Sequence, residues 1–317
     1  MSGQVAGQDA APPTPAPPRR RLGWGRRLGR SESAAGWMLV SPGALLIGIF
    51  GLLPVLMSLK LSFQKSDLLT PETPWVGTQN YRELAHDPRF SEAIQHTIVY
   101  TALFVPGTML VGLLVAAALN RSVRFISVYR TAAYITMAVS TISEGIIFLW
   151  LTDKDYGLVN ATLNTVGISS QPFLSSTSQA LYVIVAMTIW GWTGFAVIVY
   201  LAALQGVPAE LHEAAAIDGA RPFTRFSTIT LPLLSPASLF LVVWLTINAL
   251  QLFDEVYLTT RGGPLHATTV IVYYLWDQAF VQFNAGYAAA MAYVLFLVIV
   301  VFTAIQFRLA RKYVHYS

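Results

Sequence analysis

Six apolar runs punctuate this chain, at roughly 37–60, 93–119, 126–151, 179–204, 236–259 and 285–307. Each is about 20 residues or longer, enough to cross a hydrocarbon core about 30 Å thick. Backbone polar groups find no water there, so the runs are predicted to be helices. The first run is too long for a cleavable signal peptide, and no small-residue cleavage site follows it. Residues 1–36 read differently. An Ala/Pro-rich tract, Ala10 to Pro18, precedes a basic cluster. Such a tract buries no core, so this tail is expected to be disordered. Its arginines are expected to anchor topology against anionic lipid, with a regulatory tail as the other use. No sequence repeat or second domain interrupts 37–317. The expected fold is all-α and membrane-integral, with six transmembrane helices.

Composition agrees. Of 317 residues, 55% are hydrophobic and only 11% charged, against about 25% charged in a soluble domain. There are no cysteines, which removes disulfides, thiolate metal sites and cysteine nucleophiles. The net charge of +4 suggests nucleic acid at first sight. Its distribution points instead to membrane topology, with no nucleic-acid partner. Arg19, Arg20, Arg21, Arg26, Arg27, Arg30, Arg121, Arg124, Arg130, Arg221, Arg225, Arg308, Arg311 and Lys312 fall on one side of a six-span chain. Lys60, Lys65, Arg82, Arg89, Lys154 and Arg261 fall on the other. The positive-inside rule then places both termini in the cytosol.

One polar island, 205–235, separates the fourth and fifth runs. It reads Pro208-Ala-Glu210-Leu-His-Glu213-Ala214-Ala215-Ala-Ile-Asp218-Gly219-Ala220-Arg-Pro222. Pro208 suits the first turn of a helix, where its missing N–H costs nothing. Glu210 and Glu213 sit near the positive end of the helix dipole. Leu211, Ala214, Ala215 and Asp218 fall on one face, flattened by the alanines. Gly219 is the expected left-handed residue just past the helix end. Pro222 starts a second short helix and Pro232 is expected to stop it. A plain connector needs only about 2–8 residues. This one is built to meet a partner.

Polar residues inside the runs are costly and functional by default. Glu144 lies in the third run; it either faces a path or pairs with a neighbouring helix. Asn248, Gln251 and Glu255 recur at i, i+3 and i+7, predicting one helical face. Thr188, Trp190 and Trp192 lie in the fourth run. Amides, carboxylates and aromatic rings are the groups that bind sugars, so Glu144, Thr188, Trp192, Asn248, Gln251 and Glu255 are candidate path residues. The blander roles are interfacial anchoring for tryptophan and interhelical bonding for Asn or Gln. Asp254 and Glu255 are expected nearer the outer mouth. The five histidines show no metal-ligand spacing, and no phosphate-binding loop or nucleophile elbow is present.

The island resembles a known family. Glu213-Ala214-Ala215-x-x-Asp218-Gly219-Ala220, followed by Phe226, Ile229, Leu231-Pro232 and Pro236, is similar to the "EAA" loop of ABC-importer permeases. Trp75-Val-Gly77 with Asn80-Tyr81, Tyr156-Gly157-Leu-Val-Asn160, Phe253-Asp254-x-x-Tyr257, Gly262-Gly263-Pro264 and Phe283-x-x-Gly286-Tyr287 resemble the carbohydrate-uptake branch. The Gly-Gly-Pro turn is typical of the maltose-permease F-like or glycerol-phosphate-permease A-like half. Two departures stand out. Thr136-Met137 occupy a place where the family usually has a proline, the ordinary cause of a helix bend. Glu144 stands where the family usually has an apolar residue.

The resemblance implies the type I importer permease fold in a bacterial inner membrane. It implies a second homologous permease subunit, two cytosolic ATPase subunits and an extracytoplasmic substrate-binding protein. ATP and Mg would be bound by the ATPases, with no cofactor in this chain. Glu213, Ala214, Ala215, Asp218, Gly219 and Ala220 would form the coupling surface, and the cargo would be a sugar or oligosaccharide. Apart from Lys60 and Arg130 near run ends, no Lys or Arg lies inside a run, which disfavours a bare anion. An ion-driven secondary transporter is the alternative, but it would want internal repeats and leaves the island unused. An intramembrane enzyme would want clustered His, Asp and Glu at one face.

Overall fold

The computed structural model describes residues 25–67, 72–121 and 124–313, with side chains from residue 36 to residue 309. The Ala/Pro-rich tract and Arg19 to Arg21 lie outside the described residues. Among the described residues the chain is helical, with two isolated β-bridges, Gln64 with Trp75 and Asp67 with Asn284. It divides into two units, Met1–Leu56 and Met57–Ser317. In the first unit, α1 runs over Gly25–Ile47 and passes through a π-helical turn, Gly48–Leu52, into α2, Leu53–Ser62, whose residues from Met57 on belong to the second unit. The helix therefore starts well before the expected boundary at residue 36. The last proline of the tail is Pro18, so nothing in 25–36 prevents helical winding.

The second unit continues with α3 (Gln79–His86), α4 (Pro88–Leu119), α5 (Ile126–Ala138), α6 (Thr141–Leu151), α7 (Leu158–Thr165) and α8 (Ala180–Gln205). Then come α9 (Ala209–Ile217), α10 (Pro222–Arg225), α11 (Leu231–Leu233), α12 (Ser235–Leu250), α13 (Asp254–Thr259), α14 (Ile271–Trp276) and α15 (Ala285–Tyr313). Among the described residues, four helices are long and apolar enough to cross a membrane: Gly36–Ser62, Pro88–Leu119, Ala180–Gln205 and Ala285–Leu309. Two further spans are bent pairs, so the six expected spans are met only if each pair counts as one.

The third span breaks between α5 and α6 with a 99° bend. No proline makes this bend. Val139 and Ser140 are extended, at ψ 130° and 147°. The Ser140 hydroxyl then accepts from the Ser143 N–H at 3.3 Å, capping the new helix. The fifth span bends by 63° between Pro222–Leu233 and Ser235–Leu250. Pro232 does not stop the preceding helix. A π-helical turn at Phe226–Thr230 places Pro232 at the start of α11, where it needs no donor. The break falls at Leu234.

The core is centred on α4 against α8. A Cβ on Gly112 would lie 2.5 Å from the Ala196 Cβ, so the two backbones meet at a glycine. Small residues allow this close approach where lipid offers no hydrophobic drive. Tyr100, Phe104, Ile184, Met187, Val197 and Tyr200 are fully buried around the contact. A second cluster joins Leu84, Phe90 and Ala93 to Ile271, Tyr274, Tyr287, Met291 and Leu295. Two aromatic hydroxyls, Tyr274 and Tyr287, both donate to Asp87 Oδ2 at 2.7 Å. Asp87 Oδ1 accepts from the Arg89 N–H at 2.9 Å. One carboxylate thus caps α4 and ties α14 and α15 to it.

The asparagines of the family-like motifs lock loops. Asn80 Nδ2 donates to the Ser62 and Gln64 carbonyls at 2.8 and 3.0 Å. Asn160 donates to the Asp153 and Gln171 carbonyls and accepts from the Gln171 N–H.

Candidate functional site

The island folds as two short helices. Pro208 is the N-cap residue of α9 rather than its first helical residue, with ψ 129° just outside the helix. The other end is a Schellman turn. The Gly219 N–H donates to the Ala216 carbonyl at 3.1 Å and the Ala220 N–H to the Ala215 carbonyl at 2.9 Å. Gly219 has φ +78°, the left-handed conformation expected from sequence. Arg225 Nη1 reaches back to the His212 carbonyl at 3.5 Å, linking α10 to α9.

No residue of α9 is buried. Glu213, Ala214, Asp218 and Gly219 are exposed, and Ala215 and Ala220 are half-buried. The exposed surface also carries Ile217 at 87% and Phe223 at 80% exposure. Sequence reading passed over both, although an apolar residue beside a left-handed glycine was the available signal.

The second feature is a cavity of about 460 Å³ between α4, α5, α6, α8, α12 and α13. That is within the range of about 300–1,000 Å³ usual for small-molecule sites. Of the six candidate path residues, Glu144, Trp192, Asn248, Gln251 and Glu255 line it. Asp254, expected nearer a mouth with Glu255, lines it too. Thr188 does not. It is 1% exposed, and its hydroxyl donates within α8 to the Ile184 carbonyl at 3.0 Å, with that of Val185 at 3.1 Å. A threonine hydroxyl in a lipid-embedded helix satisfies itself on the preceding turn when it faces the core. Trp190 also points elsewhere, packing on Phe148 with ring centroids 5.9 Å apart.

Asn248, Gln251 and Glu255 share the cavity, though not as one helical face. α12 ends at Leu250, Gln251 caps it, and Phe253 at φ −142°, ψ −59° separates it from α13. The break turns the polar set inward. Asn248 Nδ2 is held by the Trp244 carbonyl at 2.8 Å. The aromatic wall spans two helices. Trp192 meets Phe195 at 5.8 Å, and Phe195 meets Phe240 and Trp244 at 6.2 and 6.1 Å. Tyr100 and Phe104 stack at 5.3 Å on the α4 side.

Glu144 is placed by the bend in the third span. It lies in the first turn of α6, where the helix dipole favours a carboxylate. The residue is 7% exposed, and its Oε1 has no hydrogen-bond partner. Its carboxylate lies against α8 at Gly191, where a Cβ would sit 2.7 Å from both oxygens. Among the described residues, no group of three His, Asp or Glu side chains is arranged to hold a metal ion.

Comparison with known proteins places this architecture. Residues 108–315 match the family described as "Binding-protein-dependent transport system inner membrane component". The lactose transport system permease protein LacF of Rhizobium radiobacter is 36% identical over 292 residues, covering 90% of this chain and 97% of that protein. The sn-glycerol-3-phosphate transport system permease protein UgpA of Brucella abortus is 33% identical, covering 89% and 96%. The arabinooligosaccharides transport system permease protein AraP of Bacillus subtilis is 33% identical, covering 93% and 94%. Among solved structures, a chain of a bacterial ABC transporter involved in the import of the acidic polysaccharide alginate superimposes with a TM-score of 0.79. It is 23% identical and the match covers 90% of this chain and 99% of that one, so it carries the fold. ATP hydrolysis belongs to a separate subunit in such systems, and this chain is not an enzyme. The chain belongs to the family of multi-pass inner-membrane components of binding-protein-dependent transport systems, with the type I ABC-importer permease fold.

Proposed function

We propose that this permease forms one half of a translocation path for a sugar or oligosaccharide, and that α9 is its coupling helix to a cytosolic ATPase. The observation that carries the coupling role is the exposed α9 surface, with Glu213 charged and Ile217 and Phe223 apolar at its edge. Apolar anchors beside a charged contact are what a partner groove recognises. In this reading both termini are cytosolic, which the arginine distribution favours.

The path follows from chain connectivity. α9 is joined to α8 on one side and, through α10 and α11, to α12 on the other. Those are the two helices that contribute Trp192, Phe195, Phe240 and Trp244 to the aromatic wall. A push on α9 is therefore delivered to both sides of the cavity. ATP-driven closure of two ATPase subunits would supply it, with ATP and Mg held by them. A second, homologous permease would complete the path, and an extracytoplasmic binding protein would deliver cargo. The relatives' names include lactose and arabinooligosaccharides, and the cavity's amides, carboxylates and tryptophans suit hydroxyl-rich rings.

Affinity purification from membranes tests this. A cytosolic ATPase should co-purify with the wild-type chain, and loss of that subunit should abolish uptake. Uptake that persists without ATP and collapses with an ionophore would overturn the reading in favour of an ion-driven transporter.

A further inference from the structure

We infer that this chain's cavity is selective for a carbohydrate bearing a free, protonated amino group, with Glu144 as the residue that reads the amine. The inference rests on the cavity being the cargo path. Three carboxylates, Glu144, Asp254 and Glu255, line the cavity, and no Lys or Arg does. A carboxylate count of this kind alone would be weak. The second observation is Glu144 itself, 93% of whose surface is removed from solvent while Oε1 lacks any donor. A buried carboxylate oxygen left unpaired costs free energy that a ligand donor recovers.

Three features favour an ammonium as that donor. First, the cavity wall offers acids and no Lys or Arg, so a cation finds partners there where an anion finds none. Second, Gly191 brings the α8 backbone against the carboxylate. Any larger residue there would push the carboxylate aside, so the pairing of Gly191 with Glu144 keeps it in the wall. Third, Trp192 and Trp244 line the same cavity. Indole faces stack on sugar CH groups and also attract cations. An anionic carbohydrate would instead be repelled by the acidic wall and by the negative faces of the indoles. That separates this chain from relatives whose names carry phosphate.

The experiment uses the purified permease complex with its ATPases, nucleotide-free, in nanodiscs. Glucosamine, glucose and glucuronate are titrated, and tryptophan fluorescence is read. Glucosamine should bind about tenfold more tightly than glucose, equivalent to about 1.4 kcal/mol, and glucuronate more weakly than both. Glu144→Gln should collapse the glucosamine-to-glucose affinity ratio toward one. Gly191→Ala, which moves the carboxylate without removing it, should lower the ratio in the same direction and covers the case in which Glu144→Gln fails to fold. Equal affinities in the wild type, no saturable glucosamine binding, or tightest binding of glucuronate overturns the inference. If Gln251→Ala weakens every sugar while the ratio in Glu144→Gln is unchanged, only the amine assignment fails. If neither change alters any binding, the cavity is not the cargo path.

Discussion

Glu144 and Gly191 share one space: a single methyl on the glycine would stand 2.7 Å from both oxygens of the carboxylate. The side chain of α6 is thereby fitted to the bare backbone of α8. Gly191→Val should destabilise the protein by about 1–3 kcal/mol, because a branched side chain there overpacks a filled site. Removing the carboxylate should restore room. In Gly191→Val/Glu144→Ala the melting temperature should therefore recover beyond the sum of the single changes, a coupling of about 0.5–3 kcal/mol for residues in contact. Additive melting shifts would contradict the contact.

Gly112 brings α4 close to α8, with the Ala196 Cβ 2.5 Å from the built Cβ. Gly112→Leu should force the two helices apart and expose the Tyr100–Phe104 side of the core. The expected loss is about 1–3 kcal/mol or more, read as a lower melting temperature in detergent. Ala196→Gly, by contrast, should cost only about 0.5–1 kcal/mol, the ordinary penalty of a glycine inside a helix.

Asp87 gives a pH prediction. Burial raises its carboxyl pKa, but hydrogen bonds from Tyr274, Tyr287 and the Arg89 and Phe90 N–H groups outweigh that and hold it below the ordinary 3.8. A depressed carboxylate stabilises the fold above its unfolded pKa, and the contribution is lost as pH falls through the folded value. Wild-type melting temperature should therefore drop on acidification below about pH 4 by a component that Asp87→Asn lacks. Tyr287→Phe should shrink that component. Identical acid profiles for wild type and Asp87→Asn would remove this carboxylate from the contact that ties α14 and α15 to α4.

At the opposite functional feature, Gly219 holds φ +78° with no atom near its missing side chain. Space is therefore not the obstacle to a larger residue; backbone conformation is. Gly219→Asp should cost about 1–2 kcal/mol locally and misdirect the turn that follows α9. We expect normal amounts of the protein in the membrane and loss of ATP-driven uptake, and the same from Glu213→Lys. Normal uptake by both variants would sink the coupling role of α9.

For the cavity, Gln251→Ala should raise the KM for cargo uptake while ATPase assembly stays intact, since the side chain lines the cavity and lies far along the chain from α9. Thr188→Val should leave KM unaltered, because Thr188 does not line the cavity. A KM effect at Thr188 and none at Gln251 would reverse the placement of the path.

How much of this was written in the chain order can be judged residue by residue. The left-handed Gly219 and the short helix before it were legible because a C-terminal cap is closed by neighbours within one turn. The apolar runs were legible because lipid demands that each segment satisfy its own backbone. The bend of the third span was not. It lacks the expected proline and arises from Ser140 capping a new helix, a device that a continuous apolar pattern conceals. Thr188 was misplaced because a polar residue type does not reveal which way it faces. Asn248, Gln251 and Glu255 were expected on one helical face; they line one cavity instead because a helix break, rather than a seven-residue period, brings them together.

The sequence by itself therefore determined the membrane class, the number of apolar runs, the capped helix of the island and the absence of any nucleotide-binding loop. These depend on local hydrogen bonding and on transfer of contiguous side chains into lipid. Only the tertiary structure decided that Glu144 is buried against Gly191, that α8 and α12 share an aromatic wall, and that Asp254 and Glu255 join the same cavity. Those facts depend on how helices distant in sequence pack, and close packing is set by the shapes that meet across the interface.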